Sequence, residues 1–95
     1  MTIRFAHPEH VAAEEFVDGT VVYLPGAGTL HHLDPVAADV WLAVRDRAVE
    51  DVIGDLAARH RADVDVVRRD VRILLRRLSS AGLLVRRGPP PTSRR

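Results

Sequence analysis

Between residues 11 and 33 the apolar positions fall into three short runs separated by turn chemistry. Residues 11–17 read as a first strand, although Ala12, Ala13, Glu14 and Glu15 are weak strand formers. Asp18-Gly19 is a hairpin-turn signal of the Asp-Gly kind, where a positive φ costs little. Residues 20–24 follow as a second strand ended by Pro25-Gly26, and residues 29–33 form the third. Short links between consecutive strands predict an antiparallel meander. From residue 34 the apolar period lengthens from two to 3.6. Asp34 can cap the free amides of a helix and Pro35 suits its first position, where no N–H is needed. Val36, Ala37, Val40, Trp41 and Val44 then share one face, and this helix is expected to end near Asp46. A second set recurs at Val49, Val52, Ile53, Leu56 and Ala57, with a poor cap at Arg47-Ala48. Gly54 within it costs about 1 kcal/mol relative to Ala. The third helix is the longest: Asp63 caps it, Asp65 favours its positive end, and Ala81-Gly82 stops it. Leu83, Leu84 and Val85 make a short apolar exit.

The pattern therefore predicts an α+β fold in which a three-stranded antiparallel sheet is followed by three helices. At 95 residues the chain is one domain. Residues 1–6 are expected as an N-terminal arm and residues 7–87 as the folded unit. Residues 88–95 (GPPPTSRR) contain nothing apolar to anchor them and are expected to be a disordered tail.

The third helix has three faces rather than two. At 100° per residue, Val64, Val67, Val71, Leu74, Leu75 and Leu78 fall within one arc of roughly 100°, the expected core face. Val66, Asp70, Ile73 and Arg77 form a second stripe roughly 110° away. Arg68, Arg69, Arg72 and Arg76 take the remaining side. The second stripe has two readings. It is either a wider core face that covers the sheet edge, or one wall of a groove whose other wall is the strand at residues 29–33.

Charge and composition narrow the class. Residues 1–57 carry three Arg against ten carboxylates, a net of −7, and residues 58–95 carry eleven Arg against three, a net of +8. All the basic residues are Arg, which suits bidentate pairing with carboxylates or phosphates. The absence of Cys excludes disulfides and thiolate metal sites. No apolar run approaches the roughly 20 residues that span a bilayer, and the first residues do not resemble a signal peptide, so a cytoplasmic location is expected. His31 and His32 point to opposite faces of a strand and cannot share a metal comfortably. Gly26 and Gly28 sit in a hairpin rather than a phosphate loop, and Ser79-Ser80 has no His or carboxylate partner nearby in sequence. No catalytic, metal or cofactor constellation is visible, so the expectation is a non-enzyme with no cofactor.

The ordered set Asp18-Gly19, Val21 through Leu24, Gly28 through Leu33, Asp34 leading into Ala37 and Val40-Trp41, and Arg69-Asp70-Val71 through Leu74-Leu75 and Leu78 to Ala81-Gly82-Leu83 resembles the PqqD-like peptide chaperones, or RiPP recognition elements. The resemblance covers about residues 7 to 87 and rests mostly on apolar spacing. It implies a small winged-helix-like domain that catalyses nothing. Such a domain binds the leader of a ribosomally made precursor peptide as an added strand and presents it to a modifying enzyme, such as a radical-SAM enzyme or a lasso-peptide protease and cyclase. The positions that correspond here are Thr29, Leu30, His31, His32 and Leu33 on the strand, and Val66, Arg69, Asp70, Ile73 and Arg77 on the helix. Asp34 stands where many relatives have Asn, and His31 and His32 replace more apolar residues of some relatives. The alternative is a winged-helix DNA-binding protein that uses Arg68, Arg69, Arg72, Arg76 and Arg77, with Arg86-Arg87 at a wing. Against it stand Asp63 and Asp65 at the end of the helix that would face the bases, and Asp70 further along.

Overall fold

The computed structural model describes residues 3–87. Its elements in order are β1 (Arg4–Ala6), β2 (Ala12–Phe16), β3 (Gly19–Leu24), β4 (Thr29–Leu33), α1 (Pro35–Ala43), α2 (Val49–His60), α3 (Val64–Ser80) and β5 (Val85–Arg87). Strands β2, β3 and β4 form the expected antiparallel sheet with β3 in the centre, and the three expected helices follow. The α+β architecture read from the sequence is the observed one. The tail at residues 88–95 lies outside the described residues.

One face of the sheet builds the core. Thr20, Val22 and Leu24 of β3 are buried, as is Leu33, the cross-strand partner of Thr20. Against this face lies α1, whose Ala37, Ala38, Val40 and Trp41 are buried. The Asp34 carboxylate accepts the Ala37 N–H at 2.8 Å, which fixes where the chain turns from strand to helix. Trp41 is almost wholly buried, and its indole N–H donates to the Leu83 carbonyl at 2.9 Å. Val52, Ile53 and Leu56 of α2 and Val71, Leu75 and Leu78 of α3 complete the cluster.

The first hairpin differs from expectation by one residue. Its loop is Val17-Asp18, both with negative φ, and the positive φ of +137° falls on Gly19, already the first residue of β3. A Cβ there would lie 1.9 Å from the Leu33 carbonyl oxygen. Glycine is required by the close passage of β3 past the end of β4 as well as by its φ.

The N-terminal segment also differs. The arm expected at residues 1–6 contains β1, which pairs antiparallel with β5 in a separate two-stranded sheet, with Phe5 and Ala6 buried. Three-residue strands carry no readable period, and their pairing spans about the whole chain. This pairing also explains why α1 stops at Ala43 rather than near Asp46. The chain leaves the helix to bridge Phe5 with Arg45 and Arg4 with Ala48, and the Asp46 N–H donates to the Phe5 carbonyl at 2.9 Å. At the start of α2 the missing cap is offset by the Val49 N–H donating to the Ile3 carbonyl, and by Glu50 and Asp51 in the first turn. Of the expected core face of α3, Val71, Leu75 and Leu78 are buried and Val67 and Leu74 half-buried. Val64, in the first turn of the helix, is 41% exposed and does not join the core.

Candidate functional site

Strand β4 pairs with β3 along one edge and has no strand on the other among the described residues. An unpaired edge presents a row of backbone N–H and C=O groups to whatever approaches. What lies beside it is the C-terminal half of α3. Between them runs a groove of about 790 Å³, walled on one side by Leu30, His31, His32 and Leu33, and on the other by Leu74, Arg76, Arg77, Leu78 and Ser80. Asp34, Ala37, Ala81 and Leu83 complete its lining. Leu33, Ala37, Leu78 and Leu83 are buried, so the bottom of the groove is apolar, while the two guanidinium groups stand at its exposed rim.

Register decides how the strand residues face. His31 is opposite the buried Val22 and Leu33 opposite Thr20, so both lie on the helix-facing side of the sheet, as does Thr29. His31 is half-buried, and its Nε2 is hydrogen-bonded to the Thr29 hydroxyl at 3.0 Å. Leu30 and His32 belong to the outer side with Tyr23 and Val21. Leu30 is 70% exposed, and His32 Nε2 lies 3.9 Å from the Asp18 carboxylate.

The structure brings five of the ten expected site residues into the groove: Leu30, His31, His32, Leu33 and Arg77. Thr29 sits one residue beyond its lining. Val66, Arg69, Asp70 and Ile73 are all exposed, and Arg69 lies 4.0 Å from its neighbour Asp70. Val66, Asp70 and Ile73 share the side of α3 that carries Arg77, but lie upstream of the groove. The reason is length. At 1.5 Å per residue the 17 residues of α3 run about 25 Å, whereas five extended residues cover about 17 Å. The strand therefore flanks only the later turns of the helix. The helical period places Leu74 and Leu78 in the core alone, yet they also form the helix wall. Ala81, one turn beyond Arg77, carries a readable signal, since it extends the same side of the wheel.

Electrostatics separate the two flanks of α3. Arg68, on the flank away from the groove, donates to Glu50 and to Asp65, each at 2.9 Å. That hydrogen bond holds the Glu50 carboxyl below its ordinary range. Arg76 and Arg77 make no ion pair among the described residues, and the lone carboxylate in the groove lining, Asp34, is engaged by the Ala37 N–H. Arg76 and Ser80 stand on the crest of α3 and also line a second hollow of about 920 Å³ towards β1 and the start of α2. A nucleic-acid face is weakened by the same geometry. Arg68 is neutralised by its partners, and Asp63 and Asp65 occupy the end of α3 that would enter a groove of DNA. Among the described residues no group of three or more acidic, His or Cys side chains could hold a metal ion, and no helix is long and apolar enough to cross a membrane.

The sequence model of the family described as coenzyme PQQ synthesis protein D (PqqD) matches residues 19–84. No curated protein matches the chain. Solved structures with this fold include TbiB1 in complex with the TbiA(beta) leader peptide, at 26% identity and a TM-score of 0.74 over 83% of this chain and 93% of that one. Another is a lasso peptide synthetase B1 complexed with the leader peptide, at 19% identity and a TM-score of 0.76 over 86% and 98% of the two chains. A third is the PqqD truncation of Methylobacterium extorquens PqqCD, described as a functional and stand-alone RiPP recognition element, at 21% identity and a TM-score of 0.68 over 88% of each chain.

Proposed function

This chain belongs to the PqqD family, and on that premise we propose that it is a cytoplasmic, non-catalytic carrier of a leader peptide. It binds the leader segment of a ribosomally synthesised precursor as an added strand on β4 and presents it to a modifying enzyme. The observation that carries this reading is the edge of β4, unpaired among the described residues, facing an apolar-bottomed groove against α3. Two of the structural relatives, TbiB1 and the lasso peptide synthetase B1, are described as complexes with leader peptides.

Each part of the groove has a physical task. Backbone groups along β4 supply affinity that is indifferent to side chains, and the pocket between Leu33, Leu74, Leu78 and Leu83 selects an apolar residue. Thr29 to Leu33 and Arg77 contact the peptide directly. A leader longer than β4 continues along the exposed face of Val66, Arg69, Asp70 and Ile73. Ordering a flexible peptide costs roughly 2–5 kcal/mol, so micromolar to sub-micromolar binding is the expected outcome. The modifying enzyme is of the radical-SAM kind or a lasso-peptide protease with its cyclase, and no cofactor is needed by the carrier itself.

The test is calorimetric titration of the full chain with a synthetic leader peptide of its precursor, alongside the same peptide N-methylated at alternate residues. Binding that survives in one N-methyl register and disappears in the other supports strand addition. Equal binding of both registers contradicts it. Incubating the chain with the whole precursor should leave its mass unchanged.

A further inference from the structure

The groove carries more information about its peptide than its shape. Two cations stand at its rim, Arg76 and Arg77, and neither has an acidic partner among the described residues. The one carboxylate in the lining, Asp34, caps α1. Below the cations the surface is aliphatic: Leu33, Leu78 and Leu83 are buried and Leu74 is half-buried. An apolar floor under an unpaired cationic rim is complementary to an occupant that carries one apolar and one anionic group. We propose that the groove selects leader segments in which a carboxylate stands two or four residues from an apolar anchor, its charge read by Arg77 with Arg76 beside it. This inference rests on the strand-addition reading above.

The spacing follows from strand geometry. In an added strand alternate side chains point to opposite faces, and residues two apart on the same face are about 6.8 Å apart. The apolar floor and Arg77 both belong to the helix-facing side. Both recognised side chains must therefore come from the same alternate set, which permits separations of two or four and forbids one or three. Arg77 lies between Leu74 and Leu78 on the helix, within one turn of each, so its guanidinium reaches the neighbouring position of that set. A Lys or Arg at that peptide position would face two cations with no acidic partner among the described residues, so the rim also rejects wrong partners. The opposite set of side chains faces outward, beside Leu30 and His32, and carries no such requirement.

A display library of random 16-residue peptides, selected on the immobilised full chain, provides the test whatever the precursor's own sequence. The selected peptides should share an acidic residue two or four positions from an apolar one. Arg76→Glu/Arg77→Glu should weaken such a peptide by roughly three- to ten-fold, an effect that shrinks with added salt, as expected of an exposed ion pair. Replacing the peptide's carboxylate by Arg should restore binding to that variant. The control Arg59→Glu/Arg61→Glu changes net charge equally at the exposed end of α2, and should leave the affinity unchanged. Peptides that bind with no acidic preference, or with the acid one or three positions from the anchor, overturn the charge reading while strand addition stands. A library that yields no peptide competing for the groove overturns both.

Discussion

Gly19 stands where β3 passes the carbonyl of Leu33 at the end of β4, and Leu33 is one of the buried residues at the bottom of the groove. Gly19→Ala would place its Cβ against backbone that cannot yield, at a φ that L-residues avoid. We expect a loss of about 2–4 kcal/mol, read as a lower denaturant midpoint, and a loss near zero would refute the close approach. His7 is the second residue with a large local role. Its ring stacks on Trp41 with centroids 3.8 Å apart, and its Nε2–H donates to the Trp41 carbonyl at 2.8 Å. Burial lowers its pKa below the ordinary 6.5, and the positive Arg45 adds to this, against the opposing effects of the carbonyl bond and Asp46. The folded state therefore binds this proton less readily than the unfolded chain does. Its contribution to stability is full above pH 6.5 and is lost as the pH falls below 6.5 through the lowered folded-state value. Unfolding measured from pH 7.5 to 5 should show this loss, and His7→Phe should flatten that part of the profile.

Among the elements, α3 explains both what the sequence disclosed and what it hid. Its start at Asp63, its stop at Gly82 and its buried Val71, Leu75 and Leu78 were legible, because caps and a 3.6-residue period are local properties. Its division into wall and core was not. Leu74 and Leu78 serve both, and only the position of β4 shows that the groove lies along the later turns. Strands β1 and β5 were hidden for a related reason: three residues show no alternation, and their partners lie at opposite ends of the chain. Two substitutions test these assignments. Ile73 is 47% exposed, so Ile73→Arg should change stability by no more than about 0.5 kcal/mol. Leu78→Arg places an unpaired charge in the core and should unfold the domain or lower its melting temperature sharply. If leaders run on past the groove, Ile73→Arg also weakens binding while the fold persists. Phe5→Ala tests whether β1 belongs to the domain. A loss of about 3–5 kcal/mol in chemical denaturation is expected, whereas a loss below about 1 kcal/mol would return this segment to the status of an arm.

For the whole molecule, the charge asymmetry visible in the sequence acquires a direction in space. The acidic half supplies the sheet and first two helices, including the Glu50 that pairs with Arg68, while Arg76 and Arg77 stand at the groove with no ion-pair partner among the described residues. Duplex DNA should therefore bind only weakly, and salt should remove that binding, since phosphate contacts release counterions steeply. A bound leader peptide should extend the sheet at β4. Amide hydrogen exchange followed by NMR, with and without the leader peptide, reads that pairing at the backbone itself. New protection is expected at alternating amides of Thr29–Leu33, together with shift changes largest at the later turns of α3. Binding that leaves the β4 amides unprotected, with changes on the outer sheet face at Val21 and Tyr23 or on the Arg68 flank, would contradict it.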